Sequence, residues 1–172
     1  MNSELQKAVT SGYALPLMEA FYTIQGEGYH KGSAAFLIRV GGCVACHTDI
    51  ENNGAFLAGG PKIVTPFGTF LPPNITSDKQ AGIGEWSLED FSNAMSNGVG
   101  KYGKHLYPSF PFDSYTKMSD QDIVDLYAGL MATEAVSEKA RDHEIGFPFN
   151  IRLAMQGWKR LFFTPARYEL NS

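Results

Sequence analysis

Cysteine is scarce in this chain: 172 residues hold only Cys43 and Cys46. Two cysteines cannot make a disulfide framework. Nor can they make an all-cysteine zinc or iron–sulfur site. Long apolar runs are missing as well. No stretch approaches the roughly 18 residues of a membrane-spanning helix. The opening MNSELQKAVTSGYALPLMEAF lacks the basic start and apolar stretch of an export signal. Positive charge is also in short supply, with 14 basic against 18 acidic residues and a net charge of −4. Such a chain neutralises few phosphates, so nucleic acid is not expected as a partner.

Glycine and proline, by contrast, are concentrated in the middle. Nine of the 18 glycines lie between Gly54 and Gly103, and six of the nine prolines between Pro61 and Pro111. The middle is therefore expected to be mostly loop, which excludes a coiled coil or a bundle of long helices. Hydrophobic residues make up 44% of the chain. A core can form without metals or disulfides, in one domain or two very small ones.

Residues 19–25 (EAFYTIQ) and 34–40 (AAFLIRV) have strand-like composition, with a turn segment between them. The second run also fits a short buried helix. Residues 48–86 show little periodicity and read as a long ordered loop. Its apolar members Phe56, Leu57, Ile63, Val64, Phe67 and Phe70 need a surface to cover, which a large apolar cofactor would supply. Ser87 opens a helix in capping-box form with Asp90; Leu88, Phe91 and Met95 share a face, and Gly98 ends it. A second Gly/Pro-rich loop follows. Ser119 then opens the clearest helix, running to about Ala132, with Ile123, Leu126, Tyr127, Leu130 and Met131 on one face. Residues 133–144 are polar and read as solvated. Residues 145–172 are aromatic and basic.

The chemistry sits at Cys43-Val44-Ala45-Cys46-His47. C-x-x-C-H is the attachment motif of c-type haem. Two thiols one helical turn apart suit the two vinyl groups on one porphyrin edge, and the next residue supplies the proximal nitrogen. Two other chemistries share the pattern: a dithiol redox pair using Cys43 and Cys46, and zinc held by the two cysteines with a distant pair of histidines. An electron-transfer haem needs a second axial ligand, often methionine. Met18, Met95, Met118, Met131, Met155, His30, His105 and His143 are available. Met95 and Met131 fall on apolar helix faces and read as core. Met118 ends a loop directly before the Ser119 cap, where a following helix pins its thioether, and is the expected sixth ligand. His105 is the next candidate.

From Gly41 to about Tyr168 the chain resembles a haem domain of a class I cytochrome c. More narrowly, it is similar to the first haem domain of the multihaem cytochrome c subunits of membrane-bound alcohol and aldehyde dehydrogenases. The resemblance rests on GGCVACHTD (41–49), AGGPKIVTPFGTFLPPNITSD (58–78), GIGEWSLEDF (82–91), HLYPSFPFDSYTKMSDQD (105–122) and FPFNIRLAMQGWKRLFF (147–163). It implies a mainly α fold around one covalent haem c, ligated by His47 and Met118. It also implies that Asn74, Ile75 and Thr76 belong to the loop lining the haem, and that Tyr107, Pro108 and Phe110 precede the methionine loop. Residues 15–43 are instead similar to the start of 7-carboxy-7-deazaguanine synthase, a radical S-adenosylmethionine enzyme. That likeness implies substrate contacts at Gln25, Gly26, Glu27, Gly28 and Arg39. Its iron–sulfur cluster needs three cysteines, one more than this chain has.

The expected organisation is an N-terminal segment (1–42), a haem domain (43–135) and a C-terminal extension (136–172) that packs on it or leads away. The expected function is electron transfer from a dehydrogenase toward quinone or a terminal oxidase, by a carrier rather than an enzyme. The resemblance places it in the periplasm or on the periplasmic face of the inner membrane, and allows a membrane-associated complex as its setting. The rival functions are a deazaguanine-synthase-like remnant and a dithiol redox protein.

Overall fold

A computed structural model of the chain describes residues 42–166. The strand-like runs 19–25 and 34–40, Gln25, Gly26, Arg39, Met18 and His30 lie outside the described residues.

The described chain begins in a helix over residues 42–47 (α1), which carries the C-x-x-C-H motif. A hairpin of Ile63–Thr65 (β1) and Gly68–Phe70 (β2) follows, paired antiparallel. Next come Leu88–Asn97 (α2), a second antiparallel pair of Val99–Gly100 (β3) and Lys104–His105 (β4), and the short helix Phe112–Tyr115 (α3). Asp120–Met131 (α4) and Arg152–Phe162 (α5) complete the order.

Local chemistry explains the two central helices. Ser87 accepts from the Asp90 amide, and the Asp90 carboxylate accepts from the Ser87 backbone. Ser119 and Asp122 repeat the arrangement at α4. Each box satisfies amide groups that no helical carbonyl can reach. Gly98 ends α2 at φ 61°, and a Cβ there would strike the Phe112 ring. The helices meet through Phe91 and Met95 on α2 and Ile123, Leu126 and Leu130 on α4. Val44 of α1, Leu57, Ile83 and Met118 complete this buried cluster, with Trp86 and Tyr127 packed against it. Burying each such side chain stabilises the fold by about 1.5–3 kcal/mol. Leu88, expected on the buried face, is 39% exposed: it is the first residue of α2, beyond the reach of α4.

The middle of the chain is more ordered than its glycine and proline content implies, because it folds into two short ladders. The 133–144 segment is mostly exposed, yet its backbone is held. Thr69 and Glu144 exchange two backbone hydrogen bonds of 2.9 Å, and Lys62 pairs with Glu144 at 2.8 Å. Of the six apolar loop residues expected to need cover, Leu57 and Phe70 are buried and Ile63 is half-buried. Val64 points outward from β1, and Phe67 lies on the hairpin turn against Phe149.

Helix α5 is attached by its cations. The Arg152 guanidinium donates to the His105 carbonyl at 2.9 Å and covers the Tyr107 ring at 4.5 Å. Lys159, seven residues on and so on the same helix face, donates to the carbonyls of Asn97 and Gly98. Phe163 stacks edge-on to Phe112. Thr116 both donates to the Ala166 carbonyl and accepts from its amide, at 3.1 Å each.

Candidate haem site

Cys43 and Cys46 occupy the same short helix three residues apart, hence neighbouring positions on its surface. Both thiols are free; Cys43 is half-buried and Cys46 exposed. Burial pushes the Cys43 thiol up to about 11, with the neighbouring Cys46 adding to the rise.

The motif is gripped from outside by backbone. The Gly59 amide donates to the His47 carbonyl at 2.9 Å, and Thr48 Oγ1 accepts from the Leu57 amide at 2.9 Å. Gly60 presses directly on the peptide after Cys46, and a Cβ at that position would overlap the Cys46 carbonyl. The 57–60 strip is in turn bonded to the next loop, Gly60 amide to Pro72 carbonyl and Ile75 amide to Leu57 carbonyl.

His47 Nδ1 lies 2.6 Å from the Pro73 carbonyl oxygen. A carbonyl only accepts, so Nδ1 carries the hydrogen and Nε2 keeps its lone pair. Burial depresses the His47 pKa, partly offset by the bond to Pro73. The ring is therefore neutral, oriented and basic at Nε2, the form a metal ligand requires. Together with the adjacent thiols, that donor set fits haem c.

Met118 is 2% exposed and lies in the cluster that contains Val44, with Cys43 packed against it. Its amide donates to the Tyr115 carbonyl, and the next residue caps α4. The fold thus places Met118 in the same buried cluster as Val44 of the motif helix. His105 is placed elsewhere, in β4 beside Arg152 and Lys159. His143 Nδ1 accepts from the Leu71 amide at 3.1 Å, between the rings of Phe70 and Tyr107.

Asn74 is buried with its amide fully engaged. Its Nδ2 donates to the carbonyls of Val136 and Glu138, while Oδ1 accepts from the Thr76 amide and hydroxyl. Its part is to tie the 72–76 loop to the segment beyond α4, and so to hold the Pro73 carbonyl in place. Ile75 packs on the core cluster. Tyr107 is buried under Arg152, and Pro108 is exposed. The sequence reading missed Pro73 and Gly60. The Pro72-Pro73 pair, whose φ angles are fixed, is the one signal for the former.

Against known proteins the chain matches no family model. It is 39% identical over 162 residues to a nicotinate dehydrogenase subunit of Pseudomonas putida, covering 91% of this chain and 14% of that protein. It is 34% identical over 181 residues to a diheme cytochrome c-type protein of Cereibacter sphaeroides, covering 94% of this chain and 60% of that one. With the gluconate 2-dehydrogenase cytochrome c subunit of Pantoea cypripedii the identity is 40% over 141 residues, 78% of this chain and 32% of the relative.

The chain is a relative of dehydrogenase cytochrome c subunits.

Among these three relatives it spans between 14% and 60% of their lengths. A 48-residue stretch, 27% of the chain, is 65% identical to 7-carboxy-7-deazaguanine synthase of Flavobacterium psychrophilum and covers 23% of that enzyme. The chain thus carries both resemblances that its sequence implied.

Proposed function

We propose that this cytochrome c relative carries one haem, bonded through Cys43 and Cys46 and ligated by His47 and Met118, and that it relays electrons from a dehydrogenase toward quinone or a terminal oxidase. Haem, when bound, supplies a one-electron iron couple. The chain's own residues do the rest. The Pro73 carbonyl fixes the rotation and tautomer of His47, so the Nε2 lone pair needs no reorganisation. The buried Met118 thioether is a soft ligand that favours the reduced iron and raises its potential. The observation that carries the reading is the hydrogen bond from His47 of the C-x-x-C-H motif to the Pro73 carbonyl.

The quinone side is suggested by relatives named alcohol dehydrogenase (quinone) cytochrome c subunit, 35–36% identical over 74–77% of the chain. By the same likeness we place the protein on the periplasmic face of a membrane, with a dehydrogenase as its donor. We read it as a carrier, not an enzyme.

The dithiol alternative fits poorly, because a nucleophilic cysteine needs a lowered pKa and Cys43 has a raised one. Zinc fits poorly too: among the described residues no three His, Cys, Asp or Glu are grouped to hold a metal ion. The test is co-expression with haem-attachment machinery, then acid and organic extraction of the denatured protein. Pigment that stays with the polypeptide and gives a c-type pyridine haemochrome supports the assignment. Freely extracted haem, or none, overturns it.

A further inference from the structure

Pro72 and Pro73 have no amide hydrogen to offer a neighbour, and both of their carbonyls are committed. That of Pro72 accepts from the Gly60 amide, and that of Pro73 lies 2.6 Å from His47 Nδ1. The pair therefore takes its position from its flanks. Both flanks are fastened to one strap, residues 133–144, which runs antiparallel beside residues 69–77. Thr133 meets Ser77, Val136 meets Thr76, and the carbonyls of Val136 and Glu138 accept from Asn74. Farther along, His143 meets Leu71 and Glu144 meets Thr69. Among the described residues no hydrogen bond joins Pro72 or Pro73 to the strap itself. The prolyl pair is thus suspended between two anchors, Leu71 before it and Asn74 after it. No residue of the strap is buried, so hydrogen bonds rather than apolar burial keep it in place.

One of the two anchors can be switched. The Leu71 amide donates to His143 Nδ1 at 3.1 Å, so that nitrogen carries no hydrogen and the ring is neutral. A proton added there sets a donor against a donor. The ring lies edge-on to Phe70 and Tyr107. Arg152 of α5 and Lys104 of β4 oppose an imidazolium at this place, and Asp142, on the strap, favours it. Glu144, the next acid, is engaged by Lys62. Burial is the largest of the effects that lower the His143 pKa. Arg152 is not free to retreat, because its guanidinium donates to the His105 carbonyl and covers the Tyr107 ring. The imidazolium has to turn away, and the Leu71 anchor is lost with it.

We propose that His143 is a positioning residue for the iron ligand His47, acting through Leu71 and Pro73, and that protonation of His143 raises the potential of the bound haem. The inference rests on the haem reading above. A hydrogen bond from Nδ1 to a carbonyl makes Nε2 a stronger donor to iron, which favours the ferric state. A slackened Pro73 weakens that donor and favours the ferrous state. By linkage, one-electron reduction of the iron is accompanied, in the pH range where His143 titrates, by fractional uptake of a solvent proton at its Nδ1.

The experiment uses the full haem-loaded chain, titrated spectroelectrochemically between pH 7.5 and pH 5. The expected result is a potential that rises as the pH falls, the ratio of reduced to oxidised haem at a fixed electrode potential growing about fivefold. His143→Gln keeps an uncharged acceptor and is expected to hold the pH 7.5 value with most of that rise gone. His143→Phe removes the acceptor without adding charge; its potential is expected to be raised already at pH 7.5. A second readout needs no substitution and decides the matter if a variant fails to fold. In the parent protein, NMR titration of the His143 ring protons is expected to give a higher pKa in the ferrous than in the ferric form. A His143→Gln profile that matches the parent overturns the proposal, as does a parental potential for His143→Phe at pH 7.5 or a His143 pKa equal in the two oxidation states. Each of these, with a normal haem spectrum, leaves the electron-transfer reading standing. A chain that takes up no haem overturns both readings together.

Discussion

The Lys159 ammonium lies 2.7 Å from the Gly98 carbonyl oxygen and 2.9 Å from that of Asn97, so a side chain late in the sequence closes the end of α2. That helix has no basic residue in its own last turn. The borrowed cation satisfies the Asn97 carbonyl, joins the Leu106 amide on that of Gly98 and sits favourably at the negative end of the helix dipole. Lys159→Met keeps the aliphatic stem but strands the Asn97 carbonyl, while the Gly98 carbonyl keeps its 2.8 Å bond from the Leu106 amide. The expected cost is about 1–3 kcal/mol, read from urea unfolding. Lys159→Arg, which restores donors, is expected to recover part of it. An unchanged midpoint for Lys159→Met would show that water replaces the amine without loss.

Met118 separates ligation from packing. Met118→Leu nearly conserves volume and should cost less than about 1.5 kcal/mol, whereas Met118→Ala leaves a hole worth about 2–5 kcal/mol. If the thioether is the sixth ligand, both variants bind carbon monoxide when reduced, and both have a lower potential than the parent. Should His105→Ala open the site to carbon monoxide while Met118→Leu leaves it closed, the ligand pair is two histidines and the methionine is core alone.

The two thiols should differ before haem is attached. Cys43 is half-buried with its pKa pushed up to about 11, and Cys46 is exposed. Alkylation of the haem-free chain at pH 8 is expected to label Cys46 first and Cys43 much more slowly, followed by peptide mass spectrometry. Equal rates would remove the argument against a dithiol function.

His143 sets a pH dependence. Burial depresses its pKa, with Arg152 and Lys104 adding to the effect and Asp142 opposing it. The folded state therefore takes up a proton less readily than the unfolded chain. Stability from this group is present above the ordinary histidine value and falls as the pH drops below about 6.5. Protonation also removes the acceptor for the Leu71 amide. The unfolding midpoint should fall between pH 7.5 and pH 5, and less steeply in His143→Gln, which keeps an acceptor without titrating. Identical pH profiles would assign the dependence to His47 and His105, whose pKa values burial also lowers.

Gly60 tests the grip on the motif. An added methyl overlaps the Cys46 carbonyl, and neither side of that contact is a flexible side chain. Gly60→Ala is expected to lower the yield of haem-loaded protein sharply, whereas Gly146→Ala, where a Cβ meets nothing, leaves it unchanged. The ratio of haem absorbance to protein in purified samples decides it.

What could be read from sequence was what is decided within a few residues. Ser87 with Asp90, Ser119 with Asp122, and Gly98 mark α2 and α4 because caps are local. The five-residue motif stands out for the same reason. The two ladders were missed because each strand has only two or three residues, too few to show a period, and glycine serves both hairpins and open loops. The inward cations of α5 were missed because pattern alone assigns lysine and arginine to the solvent. Their partners are carbonyls some 50 to 60 residues away, and a carbonyl acceptor has no sequence signature. Pro73 escaped notice for that last reason.

The His47–Pro73 bond also bears on transplantation. The five residues from Cys43 to His47 supply the reactive atoms, but the angle of the imidazole is dictated by a peptide 26 residues downstream. That peptide is itself tethered through Asn74 to the chain beyond α4. Grafting C-x-x-C-H onto an unrelated helix would therefore carry over the two thiols and the imidazole without the orientation that Pro73 gives His47. A portable version of this site has to include the 57–60 strip, the 72–76 loop and an anchor for Asn74, so the minimal unit of inheritance is close to the whole domain.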